Sequence, residues 1–128
     1  MRILLDTHAF LWTAIESSQL SQRAKDLFLN SQTELYLSAA SIWEMAIKSS
    51  LGKLIFDKPI ESYVLDLLQK NAIQLLNIEF RHVIRVATLP FHHRDPFDRL
   101  LISQALEEKI ALLSCDTIFD TYGIERLW

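Results

Sequence analysis

Four acidic residues, Asp6, Glu44, Asp98 and Asp116, stand beside or inside apolar segments of a 128-residue chain. A carboxylate in such company is costly unless it finds a partner. If the four meet at one place, their mutual repulsion must be relieved by protons or by a divalent cation, and hard oxygen ligands of this kind suit Mg²⁺ or Mn²⁺. A pocket of that type supports chemistry on phosphate.

The elements that must carry these residues read as an alternation. Ile3-Leu4-Leu5, ending at Asp6, is a short continuous apolar run of the kind found in parallel strands buried on both faces. Similar runs recur at Leu35 to Leu37, Ile73 to Leu76, Ile110 to Leu113 and Ile124 to Trp128, with helical periodicity between them. That order implies βαβ units and an α/β fold. The clearest helix is expected from about Pro59 to Lys70, a second from near Ser38 to just before Gly52, and a third from Asp95-Pro96 through about Glu108. Asp6 and Asp116 then follow strands, while Glu44 and Asp98 lie near helix amino termini. In an open parallel sheet all four positions point to the rim where ligands bind.

Composition narrows the class. The length fits one domain spanning residues 1–128, and an apolar fraction of 50% is enough for a real core. A single cysteine, Cys115, forms no internal disulfide and fits no zinc spacing, so a reducing cytoplasm is the expected location. The apolar start is interrupted by Asp6 and His8, too short for a membrane span or a leader, and a soluble protein without membrane contact is expected. A net charge of −3 excludes a surface that attracts nucleic acid everywhere. Local patches remain: Arg81, Arg85, Arg94 and Arg99 in one third of the chain, Lys48 and Lys53 in another.

Each acid also has an ordinary structural explanation. Asp95 suits an N-cap, with Asp98 facing the positive end of the same helix. Glu44 and Lys48 are spaced as an i to i+4 pair. Asp6 and Asp116 suit caps of the helices that follow them. Taken singly these explanations outweigh a metal site, but four independent caps have no reason to fall on one rim. His92-His93-Arg94 reads as a solvated loop, Cys115 as buried filler, and Trp12, Trp43 and Trp128 as core or interface residues.

The residues also carry a family resemblance. Leu5-Asp6-Thr7-His8, Ser38-Ala39-Ala40-Ser41-Ile42-Trp43-Glu44 with Lys48 and Gly52-Lys53-Leu54, His93-Arg94-Asp95-Pro96-Phe97-Asp98-Arg99 with Leu100-Leu101-Ile102, and Ser114-Cys115-Asp116 through Tyr122-Gly123 resemble the PIN-domain nucleases, specifically VapC-like toxins of bacterial type II toxin-antitoxin systems. The likeness covers essentially the whole chain. It implies a three-layer α/β/α domain with a parallel sheet of about five strands, and a ribonuclease that cleaves phosphodiester bonds with Mg²⁺ or Mn²⁺. The family's acidic positions fall on Asp6, Glu44, Asp98 and Asp116, with Thr7 and Ser114 as polar neighbours and Asp95 as a supporting residue. Asp6 and Asp98 are the foremost candidate ligands; Glu44 and Asp116 complete the pocket directly or through water. Lys48, Arg94 and Arg99 are candidates for holding the RNA backbone. The resemblance also implies a homodimer and a VapB-like antitoxin whose carboxyl-terminal segment reaches the site.

Two other readings are compatible with an acidic α/β domain. A signalling receiver has this size and order, but it needs paired acids after the first strand and a lysine after the last, and Asp6 is followed by Thr7-His8. A PIN-like module that no longer cleaves would bind RNA or antitoxin with no metal-dependent products, and the presence of all four acids counts against it.

Overall fold

A computed structural model describes residues 1–128 and shows a five-stranded, wholly parallel sheet in the order β3-β2-β1-β4-β5. The strands are β1 (Arg2–Leu5), β2 (Glu34–Ser38), β3 (Gln74–Leu76), β4 (Ala111–Leu113) and β5 (Arg126–Leu127). The helices are α1 (Thr7–Ala14), α2 (Gln22–Leu29), α3 (Ala39–Ser50), α4 (Ile60–Lys70), α5 (Phe80–Arg85) and α6 (Pro96–Glu108). Short 3₁₀ turns cover Val86–Thr88 and Thr117–Tyr122. The three expected helices and the five strands, taken along the chain, match the sequence reading. The last strand is shorter than Ile124 to Trp128 suggests, because only Arg126 and Leu127 pair with Leu112 and Leu113.

Alternation along the strands builds two cores, one on each face of the sheet. Ile3, Leu5, Leu35, Leu37, Ala111 and Leu113 join Phe10, Met45 and Val64 on one side. Leu4 and Leu112 join Leu101, Ile102, Phe119 and Tyr122 on the other. Helices therefore cover both faces, giving three layers. Phe10 is 1% exposed and belongs to the core.

The topology decides where a ligand can sit. The chain winds outward from β1 through β2 to β3, then α5 and α6 carry it back to the other side of β1, where β4 pairs in register from Ile3 with Ala111 to Leu5 with Leu113. The direction of winding reverses between β1 and β4, and the crevice beyond their carboxyl ends is the binding position of such sheets. The turn after Tyr122 that returns the chain to β5 relies on Gly123, whose φ of 75° is the left-handed conformation that a side chain disfavours.

Helix α5 is fastened to α6 by a satisfied polar cluster. His82 is fully buried; its Nδ1 accepts from the Glu79 amide and its Nε2 faces Glu108 Oε1 at 2.9 Å. The Ser103 hydroxyl donates to the His82 carbonyl, and Arg81 pairs with both Glu79 and Glu108. Removing one partner leaves buried polar atoms without a bond, which costs about 1–3 kcal/mol. Glu108→Ala is expected to lower unfolding free energy by that amount in urea titration, whereas Arg81→Ala, at a half-exposed pair, is expected to cost under about 1 kcal/mol; equal losses would show that the buried His82 contact is not what holds α5.

Candidate active site

Strand β1 delivers Asp6 to the crevice at its carboxyl end. Its amide continues the sheet by donating to the Leu113 carbonyl at 3.1 Å, and its Oδ1 caps α1 by accepting from the Ala9 amide at 2.7 Å. Strand β4 delivers Ser114, fully buried, whose Oγ accepts from the Asp116 amide at 3.0 Å. Asp116 in turn caps the 3₁₀ turn through the Ile118 amide at 3.1 Å. Asp95 caps α6 through the Phe97 and Asp98 amides at 2.9 and 3.2 Å. The capping explanation therefore holds for three aspartates, Asp6, Asp95 and Asp116.

Glu44 enters from the second turn of α3 and is only 9% exposed. The Thr7 hydroxyl donates to its Oε1 at 2.7 Å, and Lys48 Nζ donates to its Oε2 at 2.9 Å. Lys48 thus occupies the expected helix pair and stands beside the pocket. Ser41, one turn before Glu44 on the same helix face, has the one buried side-chain polar atom without a protein partner.

The electrostatics tie these residues together. Asp98, at the start of α6, has its pKa raised from 3.8 to about 7, first by burial and then by the charges of Asp95, Asp6, Glu44 and Asp116. Burial also pushes Asp6 upward and Asp116 adds to it, while the Ser114 hydroxyl, the Ala9 amide and His8 oppose the shift. The charges of Asp6, Glu44 and Asp116 all reach Asp98, and that of Asp116 reaches Asp6. No three of these acids place oxygens within 4.8 Å of one another, whereas Glu79, His82 and Glu108 do so elsewhere. The two carboxylates of that second group are already paired with Arg81 and Arg2, and both His82 nitrogens are engaged. The four acids face two side chains that are always cationic, Lys48 at Glu44 and Arg126 near Asp116, with His8 and His93 beside Asp6 and Asp98, so acid outnumbers fixed base. An oxygen-only, anionic and partly buried donor set fits a hydrated divalent cation.

Several expectations change. Arg99 is 7% exposed, and its guanidinium donates to the Pro90, Val86 and Leu89 carbonyls and to the Tyr122 hydroxyl, so it braces the loop before α6 and offers nothing to a surface ligand. Arg81 and Arg85 pair with Glu107 and Glu108, which removes them from a nucleic-acid track; Arg94 stays exposed and unpaired. Cys115 is exposed because the chain leaves the core after Ser114. Trp43 is 57% exposed, edge-on to Phe97 at 5.1 Å, since its position on α3 points away from the sheet beside Glu44. His93 is drawn out of the solvated loop by Tyr122 and Asp98, with its Nδ1 2.7 Å from the Tyr122 hydroxyl and its Nε2 3.3 Å from Asp98 Oδ2. His93 and Tyr122 are the site neighbours that residue spacing did not reveal, since neither lies at a helical interval from an acid on the same element.

The Asp98 shift has a definite sign. Between pH 4 and 7 the folded chain keeps a proton that the unfolded chain has released, so this group's contribution is complete below its unfolded value of 3.8 and is lost as pH rises through about 7. Asp98→Asn is expected to stabilise the metal-free protein at pH 7.5 by several degrees in thermal melts with EDTA, the gain shrinking toward pH 4; about 1 kcal/mol corresponds to roughly 3–5 °C for a domain this size. No gain at pH 7.5 would mean that the carboxylate is fully compensated by its surroundings.

Comparison with known proteins agrees with this geometry. The profile of the PIN domain matches residues 3–125. Among solved structures, VapBC2 from Rickettsia felis, determined with a promoter DNA fragment, is similar with a TM-score of 0.74 at 12% identity, covering 99% of this chain and 98% of the other. DNA-bound VapBC from Salmonella typhimurium gives 0.68 at 12% identity over 99% and 97%. VapBC-1 from nontypeable Haemophilus influenzae gives 0.66 at 14% identity over the same shares. At these identities the likeness establishes the fold, and no curated protein sequence matches the chain. With a family profile spanning nearly its whole length and acids gathered where the sheet reverses its winding, this chain belongs to the PIN domain family.

Proposed function

We propose that the protein is a metal-dependent endoribonuclease and the toxin component of a type II toxin-antitoxin system. The observation that carries this reading is the undercompensated charge at the β1–β4 crevice, expressed in Asp98, whose pKa burial and four neighbouring carboxylates hold near 7. PIN domains are generally nucleases, and membership of that family sets aside the receiver reading. Asp6, Glu44, Asp98 and Asp116 would hold Mg²⁺ or Mn²⁺, which when bound makes an attacking water more acidic and offsets charge on the scissile phosphate.

The chain's own groups supply the rest. Thr7 orients Glu44, and Ser114 steadies Asp6. Lys48 and the exposed Arg94 provide positive charge for the polyanion near an otherwise repulsive pocket. Trp43 and Phe97 offer exposed aromatic surface beside Glu44 and Asp98, on which an unpaired base can stack.

Partners are supported by surface composition. A groove of about 470 Å³ lies between α1, α2 and α4, with Leu20, Phe28 and Leu67 in its walls beside Lys25 and Lys70. A separate exposed patch on and after α5 includes Phe80, Val83, Ile84 and Phe91. Such surfaces mark protein interfaces. The similar VapBC structures are of toxin-antitoxin pairs, and by analogy a VapB-like antitoxin and a second copy of the chain are the partners proposed here. No helix is long and apolar enough to cross a membrane, and a cytoplasmic location follows from the proposed RNA target.

Purified protein is expected to cut a mixed RNA pool with Mn²⁺ or Mg²⁺, to stop in EDTA, and to lose about 100-fold or more in rate on Asp6→Asn. Cleavage that survives EDTA, or equal cleavage by the variant, would overturn the mechanism. RNA binding without any metal-dependent products would favour the non-cleaving binding module.

A further inference from the structure

We infer that Arg99, Tyr122 and His93 form a one-way hydrogen-bond chain that fixes His93 as an Nε2–H donor to Asp98, making His93 a positioning residue for that carboxylate. The inference deepens the nuclease reading and rests on it for the purpose of the positioning.

Donor counting carries the argument. The Tyr122 hydroxyl has one proton and two lone pairs, and the residue is only 8% exposed. Arg99 Nη1, which can only donate, lies 3.2 Å from it, and the His93 backbone amide, also only a donor, lies 3.3 Å from it. Those two donors fill both lone pairs. The phenol proton must therefore go to the remaining neighbour, His93 Nδ1, at 2.7 Å. A ring whose Nδ1 accepts carries its proton on Nε2, and Nε2 faces Asp98 Oδ2 at 3.3 Å. The opposite tautomer would aim three donors at an oxygen with two lone pairs and leave the phenol proton without an acceptor.

Arg99 is itself immobilised by three backbone carbonyls, and the imidazole is set edge-to-face against Tyr122 and Phe119. The rigid core on the α6 face of the sheet thereby dictates which way a loop histidine donates. Asp98 Oδ2 is held by the protein, while Oδ1 accepts no protein hydrogen bond, and the carboxyl lies within the field of the other acids. Partners of this kind orient ligating carboxylates and typically change metal affinity by about 10–100-fold when removed.

Two readouts test the chain on the intact protein. Long-range ¹H–¹⁵N NMR at pH 8 on metal-free protein is expected to show His93 as the Nε2–H tautomer, with Tyr122→Phe releasing it to a mixture; an Nδ1–H ring in the parent would overturn the chain. Mn²⁺ titration then separates positioning from loop bracing. His93→Gln, whose amide reaches the place of Nε2, is expected to keep the Mn²⁺ Kd within about threefold. His93→Asn, which reaches only Tyr122, is expected to weaken it about tenfold. Equal affinities, or the reverse order, would overturn positioning while leaving the nuclease reading in place. A parent protein that binds no Mn²⁺ would remove the metal-nuclease reading and with it the positioning role, and the tautomer result would still decide the direction of the hydrogen-bond chain.

Discussion

Like-charge repulsion among carboxylates gathered at the carboxyl ends of β1 and β4 is the constraint on which the rest of this structure depends. Asp6 and Glu44 are nearly buried and Asp98 is largely so, which places negative charge where water screens it poorly. The fold tolerates this because each acid also serves the backbone or a neighbour. Asp6 and Asp116 cap helical turns, Glu44 holds Thr7 and Lys48, and Asp98 meets His93. Every one of the four carboxylates therefore has a local structural partner as well as acidic neighbours. Residual strain of this kind is characteristic of sites that trade stability for activity.

Contrast within the molecule shows that carboxylates alone do not make such a site. Glu79, His82 and Glu108 lie closer together than the four crevice acids, yet Arg81 and Arg2 balance the two carboxylates and the Glu79 amide bonds His82. The cluster fastens α5 to α6 as a neutral, rigid unit. At the crevice the arginine that sequence places nearest, Arg99, turns instead into the core to bind carbonyl oxygens. The location of guanidinium groups, rather than the number of acids, separates a structural cluster from a reactive one. The same burial of Arg99 gives the crevice a rigid wall, since Pro90 and Tyr122 are anchored to it.

Much of this was legible in the chain itself because short-range physics dictates it. The apolar run Ile3 to Leu5, the Pro96 start of α6 under the Asp95 cap, and the Gly52 stop after α3 are local patterns, and each element formed where expected. The acids could be assigned to one rim because parallel βαβ units send strand ends and helix starts to the same edge. What failed were statements about individual side chains. Cys115, read as buried, and Arg99, read as a cation for the RNA backbone, each took an environment that depends on what packs from another element.

The sequence by itself determined the layer order, the positions of Asp6, Glu44, Asp98 and Asp116 on their elements, and the excess of acid over nearby base. Tertiary structure alone decided that β4 returns to the far side of β1, that Arg99 is a brace, and that His93 reaches Asp98 through Tyr122. The physical reason is range. Helix periodicity, capping and strand burial are set by residues within a few positions of one another, whereas the direction of a hydrogen bond between residues 29 apart depends on which donors the fold has already placed around the shared oxygen.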